Sequence, residues 1–506
     1  MSSGTTTQPE TNLAEASPAP SIFRSVLRGT SLYTLAILSQ RFASIILLPV
    51  NTRFLTPADY GVMELLEQVG VVLSVLLGVN LAGALGYYYF ETNSQKTREK
   101  VVGTTLFGSL LIGVIAGVAG ASFSTLISWL AFADSKYHVY LAACFLAMPA
   151  TFLLEAVFSW VRVEDRPGLF LAGSLLRAVL TVIGTLVFVA ALRLRVVGVL
   201  TTSISSIILV ALFLMFFYFR SYKPTFDRET FVRMLRYAIP LGFSSMAMVF
   251  IHFGDRFILP RYRSLAELGI YAVAYKVGML ISVAYSSFHS YWSAQVYDVF
   301  KRPDADRVFA RMLTYMSAAL SFCALGLIVA AKPGIHLLTA PTFHGAAALV
   351  PVVVLAYYIR SFGDFFRCLF LVAKRPEWDA ACTWIGAAVC LVAYFTLIPT
   401  LGVWGAAIAT LVTFVVMTVV SVIWSSRLRP LSIEVSRLLK IFGTAALLAA
   451  ASSLVPVENV VLQIAWAVFL LLSYPALLLL LRFPTEGELE TIRCHVQSLK
   501  IRLRRS

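Results

Sequence analysis

Residues 357 to 370 read YYIRSFGDFFRCLF, in which Tyr357, Arg360, Asp364 and Arg367 are spaced three, four and three. That interval lines one face of a helix. Asp364 pairs with only part of two guanidinium charges, so the spacing predicts one positive charge left over on that face. The planar fork of guanidinium donors matches two phosphate oxygens, and the chemistry on offer is recognition of an anionic, phosphate-bearing group. An Arg-Asp-Arg cluster that only locks helices together is the alternative.

Other ionisable residues interrupt apolar runs in the same way. The bases are Arg41, Arg177, Arg256 and Lys276, and the acids are Glu64, Glu67, Glu155 and Asp255. A charge within a bilayer costs about 2.5–3.5 kcal/mol even on the lenient insertion scale, so such groups are expected to face a cavity or a partner. Arg41 has no acid within one turn and is expected to face a cavity, as is Lys276. Asp255 and Arg256 are neighbours, so they are expected to point to different sides of their helix, with Arg256 close enough to the membrane surface to snorkel. Arg177 is expected to form a structural salt bridge with Glu155. His252 and His289 also lie within apolar runs, and the imidazole side chain is the usual switch near neutral pH, which makes His252 a candidate for ion coupling beside the plainer reading of a packed histidine.

Several chemistries lack support. No lysine follows a glycine, so there is no phosphate-binding loop of the ATPase type. The six cysteines form no CxxC pair and the histidines are scattered, so neither a metal site nor a disulfide framework is indicated, and no cofactor is expected.

The elements that must position these charges are membrane helices. Hydrophobic residues make up 59% of the chain and charged residues 13%, well below the roughly one-quarter charged of soluble domains. Apolar runs long enough to span a bilayer recur near 30-52, 62-89, 101-121, 139-161, 168-192, 196-218, 235-259, 267-296, 309-331, 346-373, 379-399, 403-425, 438-456 and 459-481, about fourteen helices. Ser122 to Phe132 is a candidate for a short interfacial helix. With the N-terminus in the cytoplasm, inside segments hold roughly 28 Lys and Arg and outside loops roughly 7, which favours both termini inside. The net charge of +15 is partly explained by the tail, where Leu489, Ile492, Val496, Leu499 and Leu503 form an apolar stripe among Arg493, Lys500, Arg502, Arg504 and Arg505. This is expected to be a surface helix on anionic membrane lipids. No nucleic-acid-binding module accompanies the charge.

A turn repeats along the chain. RFLTPADYG, at 53–61, places Thr56 as a helix cap, Pro57 at the first helical position and Asp59 at the third. RYRSLAELG, at 261–269, offers Ser264 and Glu267 in the same roles. At this offset Gly61 aligns with Gly269, and Val69, Gly70, Ser74 and Val75 align with Val277, Gly278, Ser282 and Val283. Six spans separate the copies, so both start a helix at the outer surface and the fold is expected to be all-α: two parallel six-helix bundles related by a pseudo-twofold axis, plus two extra C-terminal spans. Internal repeats of this kind mark transporters that rock one half against the other around a site between them. The expected divisions are a disordered tail 1-21, bundles 22-218 and 234-425 joined by a linker 219-233, added helices 426-481 and a basic tail 482-506.

RFLTPADYG after the first span, DRFIL with the following LGIY in the seventh and eighth, and the two-bundle repeat resemble the polysaccharide-export family of flippases, within the multidrug, oligosaccharidyl-lipid and polysaccharide exporter superfamily. The resemblance implies a multi-pass protein of the bacterial inner membrane that moves an undecaprenyl diphosphate-linked oligosaccharide to the periplasmic leaflet. It also implies a polysaccharide polymerase and chain-length machinery as downstream partners. Lipid II flippases of the superfamily carry an Arg-Asp pair in the first span. Leu47 and Leu48 stand there in this chain, which counts against a peptidoglycan precursor. Two other functions remain open: a cation-coupled exporter of drugs or small molecules, and a membrane-embedded enzyme of glycan assembly, which the short outside loops disfavour.

Overall fold

A computed structural model of the chain describes residues 20–75, 79–92, 94–429, 433–454 and 459–483, except for the side chains of 20–31, 41, 79, 80, 240, 241, 243, 244, 294, 453 and 454. The polar N-terminal stretch and the basic C-terminal segment fall outside the described residues, apart from their inner ends.

The described elements are helical throughout. The first half comprises α1 (Pro20–Phe54), α2 (Pro57–Leu73), α3 (Val79–Glu91), α4 (Gln95–Ser122), α5 (Ser124–Phe132), α6 (His138–Leu146), α7 (Met148–Val163), α8 (Pro167–Gly184) and α9 (Arg195–Ser221). The second comprises α10 (Arg228–Phe253), α11 (Asp255–Ile258), α12 (Leu265–Gly278), α13 (Leu280–Val299), α14 (Ala305–Leu338), α15 (Ala346–Val372), α16 (Pro376–Leu401) and α17 (Val403–Leu428). Two further helices follow, α18 (Val435–Leu454) and α19 (Val460–Leu480).

Among the described residues, 12 segments are long and apolar enough to cross a membrane. The α2–α3 segment and α10 fall between them and complete an alternation of about fourteen. The helices α2 and α3, at 17 and 13 residues, are each short for a crossing, and α10 is made more polar by Arg228, Glu229, Arg233 and Arg236. The short helix expected near Ser122 to Phe132 is α5, and the ninth span runs on through Pro333 to Leu338, beyond its expected end at 331.

Helix starts follow local chemistry. Thr56 Oγ1 accepts from the Asp59 amide at 3.1 Å while Asp59 Oδ2 accepts from the Thr56 amide at 3.1 Å, a reciprocal cap. Ser264 Oγ accepts from the Glu267 amide at 3.3 Å. Within the first half, α4 packs on α7 and α8 on α1 and α9; within the second, α15 lies between α14 and α17 and touches α12 and α13. The helices α18 and α19 lean against α14. Between the halves, the principal helix pair is α2 with α12, the two helices that the repeated turn begins.

Candidate functional site

The crossing of α2 and α12 is backbone on backbone. A Cβ on Gly61 would lie 2.0 Å from the Leu265 carbonyl oxygen, and one on Gly269 would lie 2.0 Å from the Pro57 carbonyl oxygen. Only glycine fits at either place. The repeat-related turns therefore meet each other on the pseudo-twofold axis.

One turn further along α2, the halves are joined by charge. Arg256 Nε donates to Glu64 Oε1 at 2.8 Å and its NH1 donates to Asp255 Oδ1 at 2.8 Å. Arg256 NH1 also donates to the His252 carbonyl at 3.2 Å, and Tyr271 donates its hydroxyl to Asp255. The rings of Tyr275 and Phe253 lie 4.4 and 5.1 Å from the guanidinium carbon. With Glu64, Asp255 and Arg256 only 3%, 0% and 1% exposed, this arginine is enclosed by protein and does not extend to solvent as a snorkelling side chain would. Nor do Asp255 and Arg256 diverge: the arginine folds back along its own helix to pair with its neighbour, because Glu64 and Asp255 offer two carboxylates that water cannot reach.

Next to this cluster lies a cavity between the halves. Its central chamber, about 610 Å³, is bounded by α1, α2, α12, α13 and α14 and carries Glu64, Glu67, Gln68, Arg256 and Lys276 on its wall. Lys276 is shared with a second chamber of about 230 Å³, where Arg177, Glu67, Gln40 and Asn51 also face inward. Lys276 Nζ donates to Tyr60 Oη at 3.1 Å, so a residue of the second half is steadied by one of the first. Ser282 and Ser286 are shared with a third chamber of about 290 Å³ between α13 and α15, which contains Arg360 and Asp364. Among the described residues, the cations on the cavity wall are thus Arg177, Lys276 and Arg360, with Arg256 present but saturated. Arg177 makes no ion pair with Glu155 among the described residues; α8 turns it toward the chamber that holds Glu67 instead. The side chain of Arg41 lies outside the described residues.

The α15 cluster is more nearly neutral than its spacing suggests. Asp364 lies 3.3 Å from Arg360 Nε and 3.5 Å from Arg367 NH1, as one helical face requires. A second carboxylate comes from the next helix: Arg367 Nε donates to Asp379 Oδ1 at 2.6 Å and NH2 donates to Thr383 Oγ1 at 2.8 Å. Two acids therefore balance the two arginines. Arg367 fastens α15 to α16, while Arg360, 26% exposed at its side chain, keeps donors for the chamber. His252 is packed flat on Tyr357, ring centroids 5.6 Å apart, with Nδ1 2.9 Å from the Tyr357 hydroxyl.

A further cavity of about 900 Å³ opens between α14, α15, α18 and α19, walled mainly by aliphatic residues. Spacing arguments passed over Tyr60 and the α13 serines, which are parts of these walls, and Asp379, the partner of Arg367. Glu67 had a signal, a carboxylate within an apolar run; a serine in a membrane helix has almost none.

The chain was compared with known proteins. The fold is that of the lipid II flippase MurJ in an inward closed conformation, at TM-score 0.71 and 14% identity over 89% of this chain and 98% of that one. It also resembles a multidrug resistance transporter of the MATE family in its inward-facing conformation, at TM-score 0.64 and 16% identity over 79% of this chain and 94% of that one. The outward-facing conformation of a MATE transporter gives TM-score 0.55 at 16% identity, over 80% and 95%. Comparison with curated proteins gave no match. Residues 26–291 match the family described as polysaccharide biosynthesis protein. As that match takes in more than half of the sequence, this multi-pass membrane protein belongs to the polysaccharide biosynthesis protein family.

Proposed function

We propose that this protein is a flippase that carries an undecaprenyl diphosphate-linked oligosaccharide across the bacterial inner membrane by alternating access, and that it is not an enzyme. The observation that carries the reading is the cavity between the repeat-related halves, with Arg177, Lys276 and Arg360 on its wall. A lipid diphosphate leaving water needs such cations, and Lys276 and Arg177 supply them in one chamber. The aliphatic cavity beside α18 and α19 offers a separate apolar surface for the polyprenyl chain.

With α2 and α12 starting at the outer surface, the Gly61–Gly269 contact closes the outer end, and rocking the halves apart there would release cargo outward. Both termini then lie in the cytoplasm, with the basic tail against anionic lipids. Polymerase and chain-length machinery would act on the delivered product.

Glu67, accessible within the cavity, is the observation that favours a second reading, export of a cationic small molecule. The test is periplasmic accessibility of lipid-linked oligosaccharide in cells depleted of the protein and complemented with wild type or an Arg177→Ala, Lys276→Ala double variant. The flippase reading expects glycan trapped inside on depletion and no rescue by the variant at normal membrane levels. Unchanged accessibility in a strain without a second flippase, together with new sensitivity to cationic drugs, would establish the exporter instead.

A further inference from the structure

We infer that the chamber between α13 and α15 is a saccharide subsite, which holds the first sugars of the cargo while Lys276 and Arg177 hold the diphosphate. The inference rests on the flippase reading.

Every residue lining this chamber carries a polar side-chain atom, unlike the mixed walls of the central chamber and the aliphatic cavity beside α18. The polar groups are mostly neutral. Among the described residues, Arg360 is the one cation on the wall and Asp364, 3.3 Å away, the one anion. A balanced wall of this kind attracts neither a second phosphate nor a free cation. It suits a neutral ligand dense in hydroxyl groups, each needing a donor and an acceptor.

The hydroxyls on α13 are arranged for that. Ser282, Ser286 and Ser290 recur at intervals of four, so they share one helical face. Ser286 and Ser290 donate to the Val283 and Ser286 carbonyls at 2.9 and 2.8 Å. Their protons are committed to the backbone, and their oxygen lone pairs remain as acceptors. Arg360 supplies donors from the opposite helix. Tyr285, 8% exposed, has a hydroxyl shut off from solvent with no hydrogen-bond partner, a cost that a ligand hydroxyl would remove. Its ring and that of His289, centroids 5.4 Å apart, add apolar faces of the sort that pack on sugar C–H groups.

Position and size agree. Ser282 and Ser286 belong to both this chamber and the central one, so a ligand passes from one to the other without crossing a wall. From Lys276 to Tyr285 the chain climbs nine residues, roughly 13 Å at helical rise, about the reach of a diphosphate and its first sugars. At about 290 Å³ the chamber has room for one or two sugars. The subsite thereby contacts the reducing-end sugar.

The full-length protein in lipid nanodiscs would be titrated with undecaprenyl diphosphate, and with the same lipid bearing one hexose or one N-acetylhexosamine. The expectation is that at least one sugar tightens wild-type binding about tenfold or more. A Tyr285→Phe, Ser290→Ala variant should lose that gain and keep wild-type affinity for the bare lipid diphosphate. Lys276→Ala should weaken all three probes by the same factor. If neither sugar tightens wild-type binding, or if the gain survives in the Tyr285/Ser290 variant, the subsite is overturned while binding of the bare lipid leaves the flippase reading standing. If wild type binds none of the probes, the flippase reading falls and the subsite with it.

Discussion

Glu64 Oε1 accepts a hydrogen bond from Arg256 Nε at 2.8 Å across 192 residues of sequence, and both groups are sealed from water. This is a charge pair between the two halves of the molecule, one turn from where Gly61 meets Gly269.

Arg256→Met leaves Glu64 and Asp255 as buried carboxylates without their cation, which costs about 3–5 kcal/mol, and should lower thermal stability in detergent by that order. Glu64→Ala should cost less, because Asp255 still pairs with Arg256 at 2.8 Å. A Glu64→Ala, Arg256→Met double variant, with one carboxylate left without a cation instead of two, should be more stable than Arg256→Met alone. An additive double-mutant cycle would show that the two groups do not interact.

The glycine contact makes a sharper demand on transport than on folding. Gly61→Ala places a methyl group where the Leu265 carbonyl oxygen stands, so α2 and α12 must separate. We expect at least a tenfold loss of flipping with protein still in the membrane. Gly70→Ala, where an added Cβ meets nothing within 4 Å, should leave flipping unchanged and gain up to about 1 kcal/mol of helix propensity. Glycan accessibility normalised to membrane protein level checks both.

Arg360 and Arg367 should separate in the same way. Asp379→Asn removes the charge that Arg367 grips at 2.6 Å, with an expected loss of about 1–3 kcal/mol in thermal stability. Arg360→Ala should change stability by less than about 1 kcal/mol, since its pair with Asp364 is partly exposed, yet reduce glycan delivery several-fold.

At the linker, Asp227 Oδ2 accepts from the Thr230 amide at 2.8 Å and from its hydroxyl, and these bonds hold the Asp227 carboxyl below its ordinary value of 3.8. A lowered folded value means that the cap stabilises α10 at neutral pH and is lost as pH falls through that lowered value. Asp227→Ala should cost about 1 kcal/mol at neutral pH and nothing once the wild-type carboxyl is protonated. Hydrogen exchange of the first turn of α10 against pH reads this directly.

What was legible in the sequence follows the range of each interaction. Thr56 with Asp59, and Ser264 with Glu267, act over three residues, so the residues themselves announce the turns. The fourteen-span alternation rests on hydropathy summed over whole helices, which α2 and α10 blur without erasing. Charge partners obey no such rule. Arg360 and Asp364 are one turn apart on one helix and were readable; Asp379 reaches Arg367 only because a new helix begins at Pro376 and turns back. Arg177 faces Glu67 rather than Glu155 because of how α8 sits against α1 and α9, and no spacing records that. The repeat announced that α2 and α12 are equivalent, but not that they touch.

The backbone of this protein is duplicated, but its chemistry is not. Where the second half has Asp255 and Arg256, the first has Leu47 and Leu48; where the second has Lys276, the first has Gln68. A molecule lying along the axis therefore meets two copies of the same framework fitted with different contacts, in the manner of a keyed connector. On the proposed function, cargo seated one way would meet Lys276, and the same cargo turned half a revolution would meet Gln68 in its place.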